Sequence, residues 1–263
     1  MTTSSNGRGT FHREGVLMSL DVPPDLLDRA ERGEVGDAEF VACVREVGGI
    51  RLAVTGPFGE DDLGVACYHS EVGAAELLLN HMVDGPGEHV VVDMTAGADS
   101  FASGLFTRFD LTFLVCEPTV LGVAVYRQYR EYAKDFDVRI AVVGNKVEDA
   151  EDVAFLRGQV DEGLLVCIGR SRFVRAMERG TVEPIDALEQ DNVTALAEMR
   201  SMVDGVEKDW QKFQRQAVEF HLRNARAWGS ARSGSDLADQ VDPDFAHGPD
   251  ALVHSGTAPI TVV

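Results

Sequence analysis

The chain has 263 residues, 44% of them apolar and 26% charged, and its 44 acidic against 24 basic side chains give a formal charge of −20. That length suits one large α/β domain or two small ones, and the charge would repel nucleic acid. No apolar run reaches the roughly 20 residues of a membrane span, and the first nine residues lack the apolar stretch of a signal peptide. Cys43, Cys67, Cys116 and Cys167 are scattered, and two of them sit inside apolar runs. Such thiols behave as small hydrophobes and fit a reducing, cytoplasmic setting better than a disulfide framework.

In chain order, the first ten residues are polar and read as disordered. Asp25–Arg32 and Ala38–Glu46 have helical composition, with Pro23-Pro24 in the position that helix starts tolerate. Ile50–Val54 is a short apolar run stopped by Thr55-Gly56-Pro57, a strand and then a loop. Further strands are expected at His89–Asp93, Thr112–Cys116, Arg139–Val143 and Leu164–Ile168. Their near-continuous apolar character is that of strands buried on both faces. Helix patterns at 72–83, 120–135 and 150–161 alternate with them. The fold class that follows is α/β, an open and mostly parallel sheet with helices on both faces.

After Ile185 the strand patterns stop. Val206, Trp210, Phe213, Ala217 and Phe220 fall on one helical stripe, which reads as packing on the sheet domain or as a partner surface. The expected organisation is therefore a helical or disordered segment at 1–48 and an α/β domain at 49–185. A C-terminal helical extension at 186–229 and a flexible tail at 230–263 follow.

In a parallel sheet, chemistry gathers at the carboxyl ends of the strands. The first informative end is Asp93-Met94-Thr95-Ala96-Gly97, where a strand-tip carboxylate can hold a magnesium ion through water. Gly97 leaves its backbone N–H open to a phosphate; the alternative is that Asp93 caps a helix. The second is Glu117-Pro118-Thr119, where Pro118 stops the strand and Thr119 can cap the next helix. The third is Asn145-Lys146, an amide able to bond a purine edge and an alkyl stem able to lie on a base, or else a simple turn. No Gly-x-Ser-x-Gly, His-Glu-x-x-His or paired-cysteine zinc spacing is present.

These three ends in this order resemble the later part of the deviant P-loop ATPases. That family includes the septum- and plasmid-partition and arsenite-pump ATPases (the MinD/ParA/ArsA type), and the closest likeness is to the nickel-insertion ATPases of carbon monoxide dehydrogenase maturation. The resemblance runs from Gly49 to about Gly180. It implies that Asp93 and Gly97 form the magnesium and γ-phosphate switch. It implies that Asn145 contacts adenine beside Lys146, that Glu117, Pro118 and Thr119 shape the cleft, and that Gly169-Arg170-Ser171 close over the base. ATP and Mg²⁺ are the implied cofactors, and a homodimer acting on an unidentified protein partner is the implied assembly. The family's phosphate loop ends in Gly-Lys-[Ser/Thr], and this sequence contains no Gly-Lys dipeptide. In that family the phosphate-loop strand lies beside the strand ending in Asp93, so its absence predicts an open seam in the sheet. The chain is therefore expected to be part of a longer protein and inactive as an ATPase by itself. The alternative is a loop-less pseudo-ATPase that acts as an interaction module. The nickel-insertion ATPases also carry a Cys-x-Cys that binds metal between subunits, where this chain has Cys67-Tyr68-His69. One thiolate and one imidazole per chain, doubled by a two-fold axis, would make a four-ligand nickel or zinc site; the plainer reading is a buried Cys67 with His69 hydrogen-bonded in a loop.

Overall fold

The computed structural model describes residues 104–160 and 163–241 continuously, with 45–47, 50–54, 75–76, 78–80, 88–94, 97–101 and four two-residue strands before residue 18. In chain order the elements are β1 (Arg45–Val47), β2 (Ile50–Leu52), β3 (Thr112–Cys116), α1 (Val120–Ala133), β4 (Ile140–Val147), α2 (Ala150–Val160), β5 (Leu164–Gly169), α3 (Arg172–Glu178), α4 (Gln190–Asp204), α5 (Trp210–Asn224) and α6 (Ser230–Ser233). The chain divides into two compact units, one of Pro86–Phe101 and Phe109–Asp209, the other of Met1–Gly85, Ala102–Arg108 and Trp210–Val263.

The first unit holds a parallel sheet in the order β3-β4-β5. Successive residues of a strand point to opposite faces, and β4 shows what that does here. Val142 packs with Cys116, Val123, Tyr126, Leu156 and Val160, the core that α1 and α2 make on one face. Its neighbour Val143 packs with Val166 and Ala195, the core that α4 makes on the other. The sheet is thus open, parallel and covered by helices on both faces, and the described residues beyond Ile185 form helices and no strand, as the sequence pattern requires. Gly144 sits where a β-carbon would come within 2.7 Å of Leu156 and 2.9 Å of Cys167, so only a residue without a side chain keeps α2 seated at that level of the sheet.

Three expected elements differ. Residues 88–94, which include His89–Asp93, carry no ladder, and Val91 is 93% exposed. Strand propensity is realised only against a partner, and among the described residues β3 pairs with β4 alone, leaving its other edge open. The 88–94 stretch is tethered by His89 Nε2, 2.6 Å from Asp204 Oδ1 at the end of α4. Ile50–Leu52 is a strand, but it pairs antiparallel with Arg45–Val47 rather than joining the parallel sheet. Arg45 and Glu46, expected in a helix, are therefore extended; the rest of that helix and the one at 25–32 lie outside the described residues.

In the second unit the stripe on α5 is buried as its spacing demands. Phe213, Ala217 and Phe220 are core residues, and the Phe220 ring meets Phe106 edge-on at 5.4 Å. Val206 falls in the connection before α5 and not on the helix itself. Arg108, also buried, donates to Phe213 O at 2.9 Å, to Asn80 Oδ1 at 3.2 Å and to the Thr107 hydroxyl at 2.9 Å. Its guanidinium lies over the Phe213 ring at 4.4 Å. Beyond a short π-helical stretch at Ala225–Gly229, α6 and a turn at Leu237–Gln240 continue the fold. His221 Nε2 donates to Leu237 O at 2.7 Å there. Residues 242–263 lie outside the described residues.

Candidate functional site

The carboxyl ends of β3, β4 and β5 bring five of the expected residues together. β4 runs past Val143 through Asn145 and Lys146 to Val147. Asn145 is opposite Ile168 and Val147 opposite Gly169, so Lys146 is an extra residue, a bulge in the ladder. It has φ +57, a left-handed conformation that a side-chain-bearing residue adopts at a cost and that gathers at functional sites. The Asn145 side chain supports it, Oδ1 accepting from Lys146 N–H at 3.0 Å. The bulge turns the lysine toward the neighbouring strand, where Nζ meets Glu117 Oε1 at 2.5 Å. That hydrogen bond, the lysine's charge and the nearby Arg170 hold the Glu117 carboxyl below the usual carboxylate range. Arg170 itself pairs with Glu148. The result is an alternating cluster, Glu117, Lys146, Arg170 and Glu148, across the tips of three adjacent strands.

Thr119 and Ser171 both cap helices. The Thr119 hydroxyl caps α1 by accepting from Gly122 N–H at 3.0 Å. The Ser171 hydroxyl caps α3, accepting from Val174 N–H at 3.0 Å and donating to Glu189 Oε2 at 2.7 Å. Asp93 is exposed and makes no hydrogen bond or ion pair among the described residues; Gly97 has φ +77 and its carbonyl accepts from the Ser100 hydroxyl at 2.9 Å. Cys67 and His69 lie outside the described residues, and among the described residues no group of three potential metal ligands occurs.

Three residues that sequence patterns do not mark shape this site. Gly122, in the first turn of α1, stands so close to the Glu117-Pro118-Thr119 turn that a β-carbon would be 2.5 Å from Glu117 O. Asn192, on the first turn of α4, and Glu189, which immediately precedes that helix, hold the Gly169–Ser171 connection. Asn192 Oδ1 accepts from Gly169 N–H at 2.9 Å. Glu189 accepts from Ser171 and from the backbone N–H groups of Arg172 and Phe173, at 2.7 and 3.4 Å. The only advance signal was their three-residue spacing at a helix start.

The Ser171 hydroxyl, then backbone donors that include those of Arg172 and Phe173, pull Glu189 from its ordinary 4.5 down to about 2. A carboxylate depressed on folding contributes stability above its unfolded pKa and loses it as pH falls toward the folded one. Acid unfolding of the wild type should therefore steepen between pH 4.5 and about 2. Glu189→Gln should flatten that limb in thermal melts taken at pH 7, 4 and 2.5, and an identical pH profile would rule the interaction out.

The family described as NucS shadow ORF matches residues 18–51. The chain is similar to the carbon monoxide dehydrogenase accessory protein CooC of Rhodospirillum rubrum, 29% identical over 129 residues, 49% of this chain and 48% of that protein. It is also similar to an uncharacterized ATP-binding protein of Methanocaldococcus jannaschii, 30% identical over 120 residues, 45% of this chain and 46% of that protein. The chain thus spans about half the length of each relative. No solved structure matches. The relatives and the parallel, two-faced sheet agree on an α/β fold of the P-loop NTPase kind. Among the described residues no helix is long and apolar enough to cross a membrane.

Proposed function

We propose that this chain carries the base-binding and switch elements of an ATP-binding protein of the MinD/ParA/ArsA type. The observation that carries the reading is the bulged tip of β4, where a strained Lys146 is paired with Glu117 beside Asn145 and Arg170. Strain of this kind persists where a surrounding site demands it, and the named relatives, one of them ATP-binding, support the nucleotide. Asn145 would bond the purine edge with its amide hydrogens, while the Lys146 stem and Pro118 flank the ring. The exposed, unpaired Asp93 carboxylate suits a magnesium ion held through water, and Gly97 leaves room for a phosphate oxygen. Bound magnesium would supply positive charge against the phosphates.

Mg-ATP titration of the full chain by calorimetry tests this reading. Binding should weaken on the order of tenfold in Asn145→Ala, the loss of one buried polar contact, and the magnesium requirement should relax in Asp93→Ala. Unchanged affinity in both variants would sink the proposal.

A second reading is a non-catalytic interaction module. Its support is that Glu117, Lys146, Arg170 and Glu148 already satisfy one another. A folded chain with no Mg-ATP affinity, and an elution volume unmoved by nucleotide, would favour it. Under the first reading ATP drives a homodimer that handles metal-centre maturation or positioning. Nickel or zinc between two copies of Cys67 and His69 would then be lost in Cys67→Ser.

A further inference from the structure

We propose that the arginine face of α3, formed by Arg172, Arg175 and Arg179, docks an acidic segment of a partner protein. Docking there does not depend on whether the chain binds ATP. Four of the chain's 24 basic residues, Arg170, Arg172, Arg175 and Arg179, fall within ten positions, with Glu178 the one acid among them, in a protein of charge −20. Arg170 is paired with Glu148. The other three are exposed, and their side chains make no ion pair or hydrogen bond among the described residues. Glu189, the carboxylate at the start of α3, is taken up by the Ser171 hydroxyl and the N–H groups of Arg172 and Phe173. Spacings of three and four residues set the three guanidiniums on one side of the helix, along about 10 Å of its axis. The Ser171 cap and the buried Phe173 seat α3 firmly, so the arginines stand on a fixed backbone.

A guanidinium meets a carboxylate through two parallel hydrogen bonds, and arginine is enriched where proteins meet. The solvent side of α3 continues into Val174 and Met177, 48% and 39% exposed. Val182, 59% exposed, follows in the turn that Thr181 N–H ties back to Ala176 O at 3.0 Å. Apolar side chains on the same helix as the arginines suit a polypeptide, which brings carboxylates and apolar groups together. A nucleic acid duplex carries a phosphate charge about every 1.7 Å. Such a duplex, or an anionic membrane, would extend its charge well past this patch and against the acidic remainder of the chain. At physiological ionic strength charges act over about 8 Å. A short acidic segment seated on α3 therefore feels the arginines and little of that remainder.

Fluorescence anisotropy of a labelled peptide of repeated Glu-Glu-Leu, titrated with the full chain at physiological ionic strength, tests this. The peptide should bind, and Arg172→Gln/Arg175→Gln/Arg179→Gln should weaken it about tenfold with an unchanged melting temperature, because the lost contacts are all on the surface. The pair Arg175→Gln/Arg179→Gln, clear of the Glu189 contacts, should give a smaller loss of the same kind and keeps the comparison if the triple variant is unstable. Arg139→Gln/Arg157→Gln/Arg226→Gln, an equal change of charge at exposed arginines elsewhere, should bind as the wild type does. Glutamine in place of the peptide's leucines should weaken binding, since Val174, Met177 and Val182 would lose their apolar contacts. A peptide that does not bind, or an equal loss in the control triple, would overturn the proposal. Tighter binding of a labelled oligothymidylate or of phosphatidylserine vesicles through the same three arginines would assign the surface to a nucleic acid or a membrane and overturn it as well.

Discussion

Arg108→Ala is expected to cost about 3–5 kcal/mol of stability in the unit that contains α5, the range for breaking a buried, hydrogen-bonded charge. The guanidinium serves three neutral acceptors, the Phe213 carbonyl, the Asn80 side chain and the Thr107 hydroxyl. The Phe213 carbonyl and the Thr107 hydroxyl would lose that donor while buried, and the half-buried Asn80 side chain would lose it as well. Burial lowers the Arg108 pKa to about 10, opposed by the charge of Glu76, so the group is still cationic at neutral pH. Arg108→Lys should recover little, because an ammonium has no planar fork to reach Phe213 and Thr107 together or to lie flat on the Phe213 ring. Urea unfolding followed by Trp210 and Trp228 fluorescence would read the loss. A midpoint shifted by less than about 1 kcal/mol, the usual scale of a surface change, would show that these contacts are dispensable.

Gly122→Ala should produce a change of unusual sign. On an exposed helix the substitution gains about 1 kcal/mol from propensity. Here the new methyl would stand 2.5 Å from Glu117 O and 3.0 Å from Glu117 N, both backbone atoms that have no rotamer by which to escape. Overpacking of this type costs about 1–3 kcal/mol, so the variant should be less stable than wild type despite its better helix former. The shift would fall on the turn that carries Glu117, so nucleotide affinity should drop along with stability. A variant more stable than wild type, with intact binding, would mean that the turn yields easily and that Gly122 has no bearing on the site.

Much of the sheet was legible because it is self-consistent at the level of short segments. Thr112–Cys116, the run from Ile140 and Leu164–Ile168 are apolar on both faces; the first two are each followed by a helix that covers them, and the third is covered by α4. The stretch His89–Asp93 has the same texture and forms no strand, because pairing is a property of two segments and β3 offers it no ladder. The strand tips were visible as Glu-Pro-Thr and Asn-Lys, but their use was not. Thr119 and Ser171 are short hydroxyl residues that serve equally as ligand contacts or helix caps; the sequence marked a cap at Thr119, and the structure shows that both residues cap. The left-handed turn at Lys146 leaves no mark in composition, since asparagine and glycine are the residues that announce such a backbone. The role of Glu189 and Asn192 could not be read from their spacing alone, because their partners lie about 20 residues away on another element.

The edge of β3 that no described residue pairs with has a bearing on how the protein behaves as a colloid. An unpaired row of backbone donors and acceptors, with Val115 60% exposed along it, is a template on which another extended chain can add. The charge of −20 acts in the opposite sense, because molecules that repel one another at long range seldom approach closely enough to pair. Salt shortens that repulsion to about 8 Å at physiological strength and about 3 Å at 1 M, while leaving backbone hydrogen bonding intact. Raised ionic strength is thus expected to favour pairing of a neighbouring chain along that edge, and light scattering across a salt series would read it.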